Sequence, residues 1–136
     1  MNESNIDILI VDDDLFLLKI LSGYLTPENG FTTTIASDGK EALRKLKAKS
    51  FDIVLTDIIM PVTDGIELIS EFRKFNKSTP IIAMSGGDLQ NKADEMVDFA
   101  HYFADRTLQK PFTKQELIKT LESVLNMRMT DVMKLF

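Results

Sequence analysis

The sequence predicts an α/β domain built on one parallel sheet with helices on both faces. Three observations predict it. Short apolar runs recur along the chain, at 6–11, 31–36, 53–55, 80–84 and 107–109, several of them rich in β-branched residues. Segments with apolar residues at helical spacing lie between and after them. The strand-then-helix unit repeats five times, and right-handed crossovers turn such a series into a parallel sheet.

Ile6 to Val11 is nearly all β-branched or Leu, broken only by Asp7, as in a strand buried on both faces. It ends in Asp12-Asp13-Asp14. A helix follows through Leu17, Leu18, Leu21, Tyr24 and Leu25, with Asp14 as its N-cap. Pro27 and Gly30 end it. Phe31 to Ala36, rich in Thr and Ile, is the second strand. Asp38 and Glu41 have capping-box spacing and open a helix through Ala42, Leu43 and Leu46.

The third strand begins at Ile53 and stops at Asp57. Pro61 blocks its continuation, and Thr63-Asp64-Gly65 makes a turn. A helix through Ile66, Leu68, Ile69, Phe72 and Phe75 comes next. Pro80 to Met84 is the fourth strand, followed by Ser85-Gly86-Gly87. A fourth helix is expected between Leu89 and Phe103. The short strand Thr107 to Gln109 leads into Lys110-Pro111-Phe112. Thr113 and Glu116 form a second capping box, opening a last helix with Leu117, Ile118, Leu121, Val124 and Leu125. The expected architecture is a flavodoxin-like (βα)5 doubly wound sheet of strand order 2-1-3-4-5.

The chain of 136 residues suits one domain, expected over 1–126. Residues 127–136 are expected to extend the last helix, because Met129, Val132, Met133 and Phe136 follow i, i+3, i+4, i+7. That stripe serves either packing on its own domain or docking of a partner. A net charge of −5 with no basic stripe argues against nucleic-acid binding. There is no cysteine, hence no disulfide framework or thiolate metal site. The polar N-terminus is no signal peptide, and no apolar run reaches the ~18 residues of a membrane span. A cytoplasmic protein is expected.

In an open α/β sheet, ligands bind beyond the carboxyl ends of the strands. At that edge the expected order gathers Asp12 and Asp13 from the first strand, Asp57 from the third, Ser85 from the fourth and Lys110 from the fifth. Three clustered carboxylates repel one another unless a cation joins them. Mg2+ suits such a site, since it takes oxygen ligands and phosphate oxygens. A carboxylate can act as nucleophile toward phosphorus, with cations neutralising the transferred oxygens. Asp14 is weighed mainly as a cap, and His101, the only histidine, as a structural residue.

Over residues 6–126 the chain resembles the receiver domains of two-component response regulators. The resemblance rests on Val11-Asp12-Asp13, on Thr56-Asp57 with Met60-Pro61 and Asp64-Gly65, on Ser85-Gly86 and on Lys110-Pro111-Phe112. It implies that Asp57 is the phosphoacceptor, served by a sensor histidine kinase or histidine phosphotransfer protein. It implies that Asp12, Asp13, Asp57 and the backbone carbonyl of Ile59 bind Mg2+ (or Mn2+). Lys110 and Ser85 would contact the phosphoryl group, the Lys110–Pro111 peptide would be cis, and Ser85, Gly86 and Thr107 would form the switch region. The protein would be no enzyme beyond its own phosphorylation and dephosphorylation. Its output would be a downstream protein target, met through the face of the fourth helix, fifth strand and last helix. A homodimer through that face or the tail is a further implied partner.

The chain departs from the family pattern at Thr107, three residues before Lys110, where the family usually has an aromatic. Gly87 after Gly86 loosens the same loop. Ile59, two residues after Asp57, cannot hydrogen-bond a water, so slow loss of the phosphoryl group is expected. Two other readings compete with this one. One is a receiver-like interaction module that works without phosphorylation, favoured by Thr107. The other is a metal-dependent phosphohydrolase, disfavoured by the lack of a dedicated general acid beside Asp57.

Overall fold

A computed structural model describes residues 5–58, 65–86 and 103–133, with side chains through residue 126. The expected fourth helix, Ile59, Asp64, Gly87, His101 and the side chains of the tail stripe lie outside the described residues. Within them the chain runs β1 (Ile6–Val11), α1 (Leu15–Tyr24), a 3-10 turn (Pro27–Asn29), β2 (Phe31–Ala36) and α2 (Gly39–Ala48). It continues through β3 (Ile53–Asp57), α3 (Gly65–Phe75), β4 (Ile81–Ser85), β5 (Arg106–Gln109) and α4 (Lys114–Met133).

The five strands form one sheet in the order β2-β1-β3-β4-β5, every neighbouring pair parallel. This is the doubly wound flavodoxin-like order expected from the alternation. Successive side chains along a strand point to opposite faces, so each strand feeds two cores. Ile8, Ile10, Leu55, Ile82 and Met84 pack with Leu18 and Leu21 of α1 and Leu117, Leu121 and Val124 of α4. Leu9, Val11, Val54 and Ile81 pack with Leu46 of α2 and Leu68, Ile69 and Phe72 of α3. Burial on both faces explains why the strands read as continuous apolar runs rather than alternating ones.

Helix ends follow the sequence closely. Asp14 accepts hydrogen bonds from the backbone N–H of Phe16 at 3.0 Å and of Leu17 at 3.2 Å. Gly30 takes φ 91°, in the left-handed region that favours glycine, and turns the chain from the 3-10 segment into β2. The Thr113–Glu116 box is reciprocal: the Glu116 N–H donates to Thr113 Oγ1 at 3.0 Å, and the Thr113 N–H to Glu116 Oε1 at 3.1 Å. The Asp38–Glu41 box is half of one. The Glu41 N–H donates to Asp38 at 2.8 Å, but the Glu41 carboxylate reaches back one residue further, to the N–H and hydroxyl of Ser37.

Two strands differ by one residue at their boundaries from the sequence-based expectation. Strand β4 begins at Ile81 rather than Pro80 and includes Ser85. Pro80 has no N–H to give the ladder, although its carbonyl accepts from the Val54 N–H at 3.0 Å. Strand β5 begins at Arg106, which pairs with Ile82. Asp105 stops it there, its carboxylate accepting from the Ile81 N–H at 2.8 Å and from Arg73 at 3.3 Å.

Candidate functional site

All five strands are parallel, so their carboxyl ends share one edge, and the expected residues meet there. Asp12 follows the last residue of β1, Asp57 ends β3, Ser85 ends β4 and Lys110 follows β5. Asp12 is fully buried, Asp57 and Ser85 nearly so, and Asp13 is exposed. One carboxylate oxygen from each of Asp12, Asp13 and Asp57 lies within 4.8 Å of the others. Lys110 Nζ stands 2.7 Å from Asp12 Oδ2 and 3.5 Å from Asp57 Oδ1. The other Asp12 oxygen accepts from the Asp14 N–H at 2.9 Å, which ties the acidic loop to the start of α1.

The electrostatics follow from this geometry. Burial pulls the Lys110 ammonium down, but its hydrogen bond to Asp12 and the charges of Asp57 and Asp12 outweigh that, so its pKa is raised. Lys110 therefore stays charged at neutral pH. Among the described residues one ammonium faces three carboxylates, which leaves a surplus of negative charge there. An all-oxygen donor set with two buried carboxylates and one exposed suits a hard divalent cation that retains some of its water. These residues thus fit Mg2+ or Mn2+ and would hold it through Asp12, Asp13 and Asp57.

The loop after β5 is tied to β4 through the Lys110 N–H, which donates to the Ser85 carbonyl at 2.6 Å. The Lys110–Pro111 peptide is cis. Thr107 pairs with Ala83 of β4, two residues before Ser85, and is half-buried. No aromatic ring takes its place in β5, whose residues are Arg106, Thr107, Leu108 and Gln109.

The sequence of the response regulator receiver domain family matches residues 8–122 of this chain. The chain belongs to that family. It is a receiver domain of two-component signal transduction, a phosphorylation-accepting class of signalling module. Receiver domains bind Mg2+ at acidic residues and work with histidine kinases and downstream effectors. Transcription factor SKN7 of Saccharomyces cerevisiae is 36% identical over 110 residues, which cover 81% of this chain and 17% of that protein. A CpxR homolog of Haemophilus influenzae is 38% identical over 120 residues, 87% of this chain and 49% of that one. This receiver domain spans less than two thirds of either. Among solved structures, a CheY-like receiver domain protein of Methanospirillum hungatei JF-1 superposes with TM-score 0.85 at 27% identity, covering 94% of this chain and 99% of that one. Chemotaxis protein CheY4 of Vibrio cholerae superposes with TM-score 0.76 at 30% identity, covering 88% and 98%.

Some features of the receiver site were not singled out from the sequence. Leu15 and Phe16, at the start of α1 beside the acidic loop, are 61% and 74% exposed. Next to them a groove of about 500 Å3 runs between α1 and the loop after β5, lined by Leu17, Ile20, Tyr24, Pro111 and Phe112, with Asp14 and Lys110 at its polar end. The signal was the run Leu15-Phe16-Leu17-Leu18, four successive apolar residues, more than one helix face can bury. Among the described residues no helix is long and apolar enough to cross a membrane.

Proposed function

We propose that Asp57 accepts a phosphoryl group from a phosphohistidine on a sensor histidine kinase or histidine phosphotransfer protein, and so switches a protein-binding surface. The observation that carries this is the convergence of Asp12, Asp13 and Asp57 within 4.8 Å, with the Lys110 ammonium between two of them. An Asp57 carboxylate oxygen attacks phosphorus, the phosphorus–nitrogen bond breaks, and the imidazole leaves with the bonding pair. Asp12, Asp13, Asp57 and the Ile59 carbonyl would hold Mg2+ (or Mn2+), which supplies neutralisation of charge on the transferred oxygens. Lys110 contacts the phosphoryl group from the other side, and the Ser85 hydroxyl donates to one of its oxygens. Lys110 is within 3.5 Å of Asp57 already, so little rearrangement is needed.

The exposed Leu15 and Phe16 and the α1 groove give the protein donor an apolar footing beside the reacting carboxylate. Output runs through Ser85, Gly86 and Thr107 to the face that β5 shares with the neighbouring helices, and so to a downstream protein in the cytoplasm. That surface, with α4, is also where a second copy would pair.

Intact-mass measurement after incubation with Mg2+ and acetyl phosphate tests the reading. One added phosphoryl group is expected, absent in Asp57→Asn and absent without divalent cation. A protein that gains no mass, yet still binds its target, would establish instead the phosphorylation-independent interaction module. Thr107 in place of an aromatic is the observation that favours that alternative.

A further inference from the structure

Two residues outside the charged cluster converge on the peptide group between Asp57 and Ile58. Thr56 is fully buried. In the sheet it lies between Val11 of β1 and Ala83 of β4, an apolar row in which a valine would fill the same volume without a polar atom. Its hydroxyl donates to the main-chain oxygen of Asp57 at 3.0 Å. Gly65, the first residue of α3, meets the same peptide. A Cβ there would fall far inside contact distance of the Asp57 main-chain oxygen, and 2.7 Å from Ile58 Cα and 2.9 Å from the Asp57 carbonyl carbon. The approach is fastened: the Gly65 N–H donates to the Ile58 carbonyl at 2.7 Å, and the Ile58 N–H to the Met84 carbonyl at 3.0 Å.

We propose that Thr56 and Gly65 are positioning residues for phosphoryl acceptance, clasping the Asp57–Ile58 peptide so that the carboxylate is held toward Asp12, Asp13 and Lys110. This rests on the reading of Asp57 as phosphoacceptor. The clasp matters because Asp57 is the last residue of β3. Beyond it the sheet ladder continues only as far as the Ile58 N–H, which donates to β4. Rotation of this one peptide swings the carboxylate, which must lie in line with the bond it breaks. A displacement near 1 Å at a reacting group costs on the order of 100-fold in rate. The Thr56 hydroxyl restrains the rotation by a hydrogen bond, and Gly65 permits α3 to close against it.

The test uses Thr56→Val, Thr56→Ser and Gly65→Ala in the full chain. The limiting rate of phosphorylation by acetyl phosphate at saturating Mg2+ is followed by intact mass, beside the urea midpoint of each variant. Thr56→Val is expected to slow the limiting rate about 10-fold, Thr56→Ser to recover to within roughly 3-fold of the parent, and Gly65→Ala to fall by up to about 100-fold. A residue that only stabilises the fold would shift the urea midpoint and leave the limiting rate of the folded protein unchanged. Parent-like rates in both Thr56→Val and Gly65→Ala would overturn the proposal, as would Thr56→Ser reacting as slowly as Thr56→Val. If Gly65→Ala does not fold, the Thr56 pair still decides. A parent protein that takes up no phosphoryl group would overturn the phosphoacceptor reading and this inference together, which sets that failure apart from the others.

Discussion

Asp12 is fully buried, and among the described residues its charge is met by the Lys110 ammonium and the Asp14 backbone N–H. Removing the ammonium leaves an uncompensated charge in the interior, which costs several kcal/mol when no other cation is present. Lys110→Met is therefore expected to lose about 3 kcal/mol of stability in metal-free buffer at neutral pH, read from urea unfolding. The pH dependence has a defined sign. The folded pKa of Lys110 is raised above its ordinary 10.5, so its contribution is complete below that value and is lost as pH rises through the higher folded one. The stability gap between parent and variant should thus hold from neutral pH toward 10 and close only above it. A gap already closed near pH 8 would show that the ion pair is not what holds Lys110. A second residue-scale expectation concerns Ile59, whose aliphatic side chain has no group to orient an attacking water. Phosphorylated protein should lose its phosphoryl group slowly, and Ile59→Asn or Ile59→Glu should speed the loss; decay within seconds in the parent would refute this.

Helix α1 illustrates an element whose two faces have different work. Leu18 and Leu21 are sealed in the core, whereas Leu15 and Phe16 face solvent at the end nearest Asp12. Phe16→Ala is expected to slow transfer from a phosphorylated histidine-bearing protein at least several-fold. Stability should change by less than about 0.5 kcal/mol, as for other exposed positions. An equal loss with the protein donor and with acetyl phosphate would mean that the phenyl ring does not serve donor docking. Helix α2 is held at its start by Glu41, whose pKa is lowered by its hydrogen bond to Lys45 against an opposing burial effect, with Ser37 adding further hydrogen bonds. Lys45 also pairs with it at 2.9 Å, one turn on. A lowered carboxylate contributes stability that is present above its ordinary value of 4.5 and disappears as pH falls through the folded value. Glu41→Gln should lower stability at pH 7 by about 0.5–1 kcal/mol, a cap and pair at a partly exposed site, with the difference shrinking as pH falls below 4.5.

At the scale of the whole molecule, α4 is the longest element among the described residues. It runs from Lys114 to Met133, and among its described side chains Leu117, Leu121, Val124 and Leu125 pack with the sheet. Truncation after Asn126 is expected to leave the urea midpoint and the phosphorylation rate unchanged. A change in solution mass between full-length and truncated protein would assign the 127–136 stripe to self-association; a fall in stability would assign it to packing on its own domain.

Much of this protein was legible in the amino-acid order. Hydrophobic runs, capping residues and turn formers act locally, so five strands, the caps at Asp14, Asp38 and Thr113, and the sheet order could be read before any coordinates. The site residues were legible because a parallel sheet puts every strand's carboxyl end on one edge, whatever the details of packing. Only the tertiary structure decided what depends on distances between elements remote in sequence. It placed Lys110 2.7 Å from Asp12, 98 residues away, turned Leu15 and Phe16 outward from a helix whose composition favoured burial, and sent the Glu41 carboxylate to Ser37 rather than to Asp38. It also brought Gly65 against the Asp57 carbonyl. Periodicity says which face a side chain takes, but which atoms approach across helices and strands is set by close packing, where every neighbour must be satisfied at once.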